Sequence, residues 1–436
     1  MRTKLLMSLL IGVLCLVPLS IAAQSQAMSK VERGWAQDML KTVSLDVKKN
    51  YYDPKFHGLD WDAKVAQTQQ RIDTAPSMPV ALAYIAMLMD SLHDSHTYFY
   101  PPSRAHSYDY GIAYQFVGDR CYITHVREGS DAAAQGVKPG DEVLTIEGHL
   151  PDRKDTWKLD YLFNVLNPQP SLKLLLQIPP NGKSREVEIK TKIRTLKRPT
   201  DVSYSEYREW DNYQRYEHIR SATVGSDLMV VKFPNFVFTG AEIADVMNKA
   251  HKYQTLVMDL RGNSGGSVDT LEWFLGNVFD KKVKIADRVT RKETKAEFVK
   301  PAHRVFAGKL IVLVDSRSAS ASEIFARVVQ LEKRGTVIGD VTSASVMESR
   351  YLENSVGGSL ALFYGESITD ADLIMSDGKS LEHVGVTPDI LLLPTQADLT
   401  SGSDPVLARA AEVAGVKLTP EAAGKLFPYE WPPDEE

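Results

Sequence analysis

Cysteine is nearly absent from this chain: 436 residues carry two, Cys15 and Cys121. That count excludes a disulfide-stapled scaffold and a cysteine-based metal centre. No run of Lys or Arg occurs and the formal charge is −5, which argues against nucleic acid as a main partner. No low-complexity tract interrupts a composition that is 43% hydrophobic and 25% charged, so the chain reads as a soluble globular protein. At this length two or three domains are expected rather than one core.

Long apolar runs are also lacking, with one exception at the start. Arg2 and Lys4 precede LLMSLLIGVLCLVPL (5–19), and the small residues SIAAQSQA follow. This is the pattern of a secretory signal peptide, with candidate cuts after Ala22, Ala23 or Ala27. The run is short for a spanning helix, and no other segment is long or apolar enough. Losing Arg2 and Lys4 takes the formal charge from −5 to −7, and losing Cys15 leaves Cys121 alone. Cys15 follows Leu14 rather than a small residue, which counts against a lipid-anchored form. An exported protein, periplasmic or secreted and without a membrane span, is expected.

Three textures follow one another along the rest of the chain. Residues 28–105 open with three segments of helical periodicity, up to PVALAYIAMLMDSL (79–92), and close with the loop HDSHTYFYPPSR. Residues 106–197 read as short strands and turns: YGIAYQF, RCYITHV, DEVLTIEG, LKLLLQI and REVEIKT. The stretch GSDAAAQGVKPGDEVLTIEG (129–148) resembles the PDZ domains of secreted bacterial proteases. Residues 198–395 alternate strands with helices, an α/β pattern of layered strands and helices, and 396–436 form a tail with one helix, PVLARAAEVAG.

Four motifs carry candidate chemistry. In KLIVLVDSRSASASEIFARVV (309–329) a buried strand, a turn of small residues and a helix starting near Ser320 follow in order. A hydroxyl at a helix start has backbone donors beside it for a developing oxyanion. The same letters also spell a capping box, Ser320-Ala-Ser-Glu323, and capping competes with catalysis for one hydroxyl. Ser318 or Ser322 could cap the helix instead. In TLVMDLRGNSGG (255–266), Gly262, Gly265 and Gly266 permit close backbone approach, as an oxyanion donor or as a plain tight turn. The Lys-Ser/Thr pair of a phosphate loop is missing there. In LHDSHTYFY (92–100), His93, Asp94 and His96 lack a completing ligand set for a metal, so a general base is the sharper reading. In DGKSLEHVGVTPDI (377–390), Glu382 and His383 stand inside a turn before a strand.

Taken in order, these motifs resemble the C-terminal processing (tail-specific) protease and tricorn protease family over nearly all of the chain beyond the leader. YYDP (51–54), LHDSHT, KFPNF (232–236), DLRGNSGG, SASASEIF, VIGD-VT (337–342) and EHVGVTPDI carry the likeness. The resemblance implies a crotonase-like catalytic domain with an inserted PDZ-like domain, and a serine endopeptidase without cofactor or metal. It implies Ser320 as nucleophile, with Ala321 N–H and Gly265 binding the oxyanion. One departure matters: Ser-Lys members carry a lysine where this chain has Ser345 within TSASV, and no Lys lies between Lys333 and Lys379. The tricorn-like branch uses a histidine, a second serine and a glutamate, which implies His96 as base, with Ser95 and Glu382 in support. Ser95 and His96 can share a site only in a turn; in an extended segment Asp94 becomes the better partner. The PDZ-like part implies a peptide or protein substrate held by its C-terminus near Gly111 and Ile112, or else a domain that only gates the site or packs as a spacer. A silent peptide- or ligand-binding protein that keeps the fold is the contrary expectation.

Overall fold

Apolar strands bounded by glycine-rich and serine-rich turns build the part of the molecule that carries most of these motifs. The computed structural model describes residues 28–104, 106–178, 182–195, 218–358 and 361–431. The expected leader and residues 432–436 lie outside them. Contacts group the chain into two units, Met1–Pro102 with Ser349–Asp370, and Ser103–Glu348 with Ala371–Glu436.

In the first unit, helices span Lys30–Asn50, Trp61–Asp73 and Met78–Asp90. Ser29 and Glu32 form a reciprocal capping box at the first helix, and the Asp60 carboxylate accepts from Ala63 N–H at the second. Met39, Leu40, Val43, Ile85 and Met89 are buried between these helices. After the third helix the chain bends and enters strand Tyr98–Tyr100, which pairs antiparallel with Gly365–Ser367.

The second unit holds two sheets that matter for function. One is an antiparallel meander of Ile112–Val117, Arg120–Val126, Glu142–Ile146, Ser171–Ile178 and Lys183–Lys190, with Ile112–Val117 at its edge. Phe116, Ile123, Val143, Leu174 and Ile189 form its core. The other is six-stranded, in the order Ile390–Leu391, Gly335–Gly339, Lys309–Val314, Thr255–Asp259, Leu228–Lys232, Arg220–Val224. All neighbours in it are parallel except the last pair. Helices Gly240–Ala250, Val268–Val278 and Ala321–Leu331 cover one face, and Pro405–Ala414 packs on the other. Cover on both faces explains why its strands read as unbroken apolar runs.

This is the α/β arrangement expected. Among the elements not foreseen are helix Thr156–Tyr161, the hairpin of Val283–Thr290 with Thr294–Val299, and strands Met347–Val356 and Arg220–Val224. Few of their residues are fully buried, and none in helix Thr156–Tyr161, so the apolar period is diluted. Among the described residues, no helix is long and apolar enough to cross a membrane.

Candidate active site

Three of the parallel strands, Thr255–Asp259, Lys309–Val314 and Gly335–Gly339, are neighbours and release their following loops at the same sheet end. That is where open α/β sheets place their ligands. The loops are RGNSGG, DSRSAS and DVTSASV, and they hold one another through the backbone. Ala319 N–H donates to the Asn263 carbonyl at 2.9 Å, Ser343 N–H to the Ser318 carbonyl at 2.9 Å, and Ser320 N–H to the Ser345 carbonyl at 2.8 Å.

The three serines of SASAS part company here. Ser318 is fully buried, and its hydroxyl donates to the Leu260 carbonyl and accepts from Asp315 N–H. Ser322 is also fully buried, with its hydroxyl on the Asn263 side chain at 2.7 Å. Both fasten loops together. Ser320 is half-buried and sits at φ 55°, ψ −118°, immediately before helix Ala321–Leu331. A positive φ in a residue with a Cβ is strained, and such strain gathers where a side chain must be presented. The turn resembles the strand-to-helix elbow that exposes nucleophilic serines.

Gly265 explains why glycine occupies the facing loop. It has φ 94°, and a Cβ there would lie 2.7 Å from Ser320 Cβ and 3.0 Å from Ala321 N. Gly265 therefore packs directly on the serine turn. Its expected role as an oxyanion donor meets an obstacle, because its N–H donates to Asn263 Oδ1 at 2.9 Å. The Gly265 carbonyl also accepts, from Phe236 N–H. Ala321 N–H, in the first turn of its helix, has no acceptor among the described residues, as the geometry of a helix start dictates. The same holds for Gly266 N–H, one residue after Gly265.

Glu323 is the cap partner rather than an acid facing substrate. Its carboxylate, fully buried, accepts from the N–H groups of Ser320, Ala344 and Ser345 and from the Thr342 hydroxyl. Burial pushes its pKa up to about 7, against the lowering effect of the Thr342 hydroxyl and those N–H donors. One side chain thus fixes the serine turn and the TSASV loop together. Ser345, at the place of the absent lysine, lies beside Ser320 through its backbone. Glu382 reaches the same loop: its Oε2 accepts from Val346 N–H at 2.7 Å, and Oε1 lies 3.6 Å from His383 Nε2.

The first unit carries the other half of the implied set. Residues 94–97 form a bend, not an extended strand. Ser95 Oγ and His96 Nδ1 lie 2.7 Å apart, so the adjacent pair does converge. Asp94 holds the bend. Its Oδ1 accepts from His96 N–H at 3.0 Å, Thr97 N–H at 2.7 Å and the Thr369 hydroxyl at 2.6 Å. The ring keeps part of its surface open, yet the protein packed around it lowers the His96 pKa to about 4, against the opposing pull of Asp94. Asp94 is thus anchored on the backbone of its own turn. Among the described residues, no three His, Cys, Asp or Glu side chains are gathered tightly enough to hold a metal ion.

Gly111 and Ile112 open the edge strand of the meander. Gly111 has φ 70°, its N–H donates to Asp109 Oδ1, and its carbonyl accepts from Arg127 N–H at 2.8 Å. Further along that strand, the Ser316 hydroxyl donates to the Phe116 carbonyl, and Arg317 donates to the Tyr114 carbonyl at 2.6 Å while pairing with Asp160 at 3.1 Å. The residues just before the serine turn are thereby tied to the edge of the meander.

Sequence reasoning missed Arg317, Asn263 and Arg261. Asn263 is fully buried; besides accepting from Gly265 and Ser322, it donates to the Phe233 carbonyl. Arg261 forks onto Asp259 and Asp404 with four bonds of 2.7–2.9 Å, tying the glycine loop to the start of helix Pro405–Ala414. A buried Asp-x-Arg-x-Asn run after an apolar strand was the available signal.

Comparison with known proteins places these loops within a matched family region. Residues 227–392 match the model of Peptidase family S41. The tail-specific protease of Haemophilus influenzae is 25% identical over 279 residues, 59% of this chain and 38% of that protein. A probable CtpA-like serine protease of Staphylococcus aureus is 24% identical over 329 residues, 71% of this chain and 59% of that protein. The chain thus spans less than two thirds of the length of these relatives. Among solved structures, mature CPAF superposes with a TM-score of 0.63 at 16% identity, over 85% of this chain and 95% of that one. The photosystem II D1 C-terminal processing protease gives 0.52 at 18% identity, over 90% and 99%. These superpositions show a shared fold. The resemblance to the C-terminal processing family is borne out, and the silent-binder expectation gains no support.

Proposed function

We propose that this chain, whose residues 227–392 match Peptidase family S41, is an exported serine endopeptidase acting on peptides or on the C-terminal regions of proteins. The observation that carries the reading is the Ser320 turn. One serine of three is left half-exposed, in a strained conformation at a helix start, with Gly265 pressed against it and Ala321 N–H unspent.

Ser320 Oγ attacks the scissile carbonyl carbon, and its proton passes to His96 Nε2. The tetrahedral oxyanion draws on Ala321 N–H. Because Gly265 N–H is taken by Asn263, Gly266 N–H is the donor we assign in the facing loop. Collapse breaks the C–N bond, and His96 returns the proton to the leaving amine. Water then repeats the sequence on the acyl-enzyme. A ring that accepts at Nε2 carries its own proton on Nδ1, where Ser95 Oγ accepts it. The low His96 pKa keeps the ring neutral and ready to accept at neutral pH. Glu382 supports the charged imidazolium, as the tricorn-like resemblance implies. The meander serves as a PDZ-like module whose edge strand receives the substrate from Gly111 and Ile112 onward.

The test is hydrolysis of an unfolded protein by the purified chain, followed by mass spectrometry of the products. Ser320→Ala and His96→Ala are each expected to abolish cleavage while melting as the parent does. Unchanged cleavage in either variant overturns the corresponding role.

A further inference from the structure

The last described residues make contacts that neither fold nor chemistry requires. Leu426 and Phe427 still pack against the core under helix Pro405–Ala414. Beyond them Pro428, Tyr429 and Glu430 are exposed, Tyr429 at 44%, yet all three are held. Arg220 donates to the Pro428 carbonyl at 2.8 Å and pairs with Glu430 at 3.0 Å. The Tyr429 ring stacks on His125 at 3.9 Å and 17°. Trp431 meets Tyr429 edge-on at 4.9 Å and has the Arg127 guanidinium over its face at 5.0 Å.

His125 and Arg127 flank the site expected to receive peptide. His125 stands opposite Ala113 in the sheet register, and Arg127 N–H donates to the Gly111 carbonyl. Tyr429 and Glu430 also wall a cavity of about 1000 Å³ whose other sides include Ile112, Tyr114, Asp160 and Arg317. Ring stacking, a cation over an indole and one partly exposed ion pair are individually weak contacts. With one hydrogen bond from Arg220 to the Pro428 carbonyl as the remaining tie, such contacts favour a segment that can open rather than a lock. The chemistry of the cradle is specific nonetheless: a flat imidazole and two guanidiniums fit an aromatic, acidic, aromatic run.

We propose that Tyr429–Trp431 is an internal strap across a peptide-binding surface formed by His125, Arg127 and Arg220, and that this surface takes substrate segments combining aromatic and acidic side chains. This rests on the peptide-binding reading of the meander but not on the catalytic assignment, so binding is measured where turnover is blocked. The full chain carrying Ser320→Ala is titrated against a fluorescein-labelled peptide of its own residues 427–436, FPYEWPPDEE, by fluorescence anisotropy. Adding Tyr429→Ala with Trp431→Ala frees the surface, and the peptide is expected to bind about tenfold more tightly or better, as release of a site that is nine-tenths occupied requires. Glu430→Lys, at an exposed position, releases the strap by repulsion from Arg220 and gives the same direction if the double variant does not fold. Arg127→Ala added to the strap variant, or a peptide with Tyr and Trp replaced by Ala, is expected to lose the binding. Equal affinity for strapped and released chains, or no binding to either released chain, overturns the proposal whatever the peptidase assay shows.

Discussion

The turn that presents Ser320 and the turn that presents His96 are built on opposite plans. Around Ser320, three loops from neighbouring strands bond backbone to backbone, and the Glu323 carboxylate closes the network with four accepted hydrogen bonds. Around Ser95–His96, one carboxylate oxygen of Asp94 accepts three hydrogen bonds and thereby sets the bend. The first plan is redundant, and single changes at its periphery are absorbed. The second concentrates the geometry in one side chain. A nucleophile needs a fixed address against its oxyanion donors, whereas a base needs orientation and a suitable pKa.

Breaking the first plan at its centre has the largest expected effect. Ser320→Ala lowers kcat by roughly 10⁴-fold or more, while Ser318→Ala and Ser322→Ala leave a working nucleophile and each cost about 1–3 kcal/mol of stability. Steady-state kinetics and thermal melts separate the two outcomes. Gly265→Ala comes next, since a Cβ would lie 2.8 Å from the Ala319 carbonyl and 2.7 Å from Ser320 Cβ. Displacing the serine turn in this way costs about 10²–10³-fold in kcat. In the second plan, Asp94→Ala loosens the bend and costs about 10²-fold, and Asp94→Asn recovers much of it because its amide oxygen still accepts. If the Ala and Asn variants are equally impaired, the carboxylate charge matters rather than the bend.

The two plans also differ in their response to pH. Burial raises Glu323 to about 7, so the unfolded chain gives up this proton first as pH rises. Its contribution to stability is complete below about 4.5 and is lost as pH climbs through 7, a change of about 3 kcal/mol that Glu323→Gln removes from the pH dependence. Burial lowers His96 to about 4, so the unfolded chain takes up this proton first as pH falls. Stability from the neutral ring is complete above about 6.5 and is lost on the way down through 4. The acid limb of kcat/KM is expected near pH 4, and chemical denaturation across pH reads both effects.

The apolar runs TLVMD, KLIVLV and GTVIG were legible as sheet strands because cover on both faces leaves no polar alternation to misread. The choice of Ser320 over its neighbours came from resemblance, because the hydroxyls of Ser318 and Ser322 are buried by bonds to Leu260 and Asn263, more than 50 residues away, that the local sequence does not announce. The expected oxyanion donor, Gly265, has its N–H on Asn263 Oδ1, a bond that spacing cannot reveal. The strap was illegible for the same reason: nothing within FPYEW announces His125, three hundred residues earlier.

The central claim is that one serine of RSASASE is chemically distinct from its neighbours. Treating the chain and its Ser318→Ala, Ser320→Ala and Ser322→Ala variants with a fluorophosphonate, then mapping the adduct by mass spectrometry, tests it most directly. The expected result is a single adduct on Ser320, lost in Ser320→Ala and kept in the other two. Labelling that survives Ser320→Ala, or an adduct on Ser318 or Ser322, would contradict it.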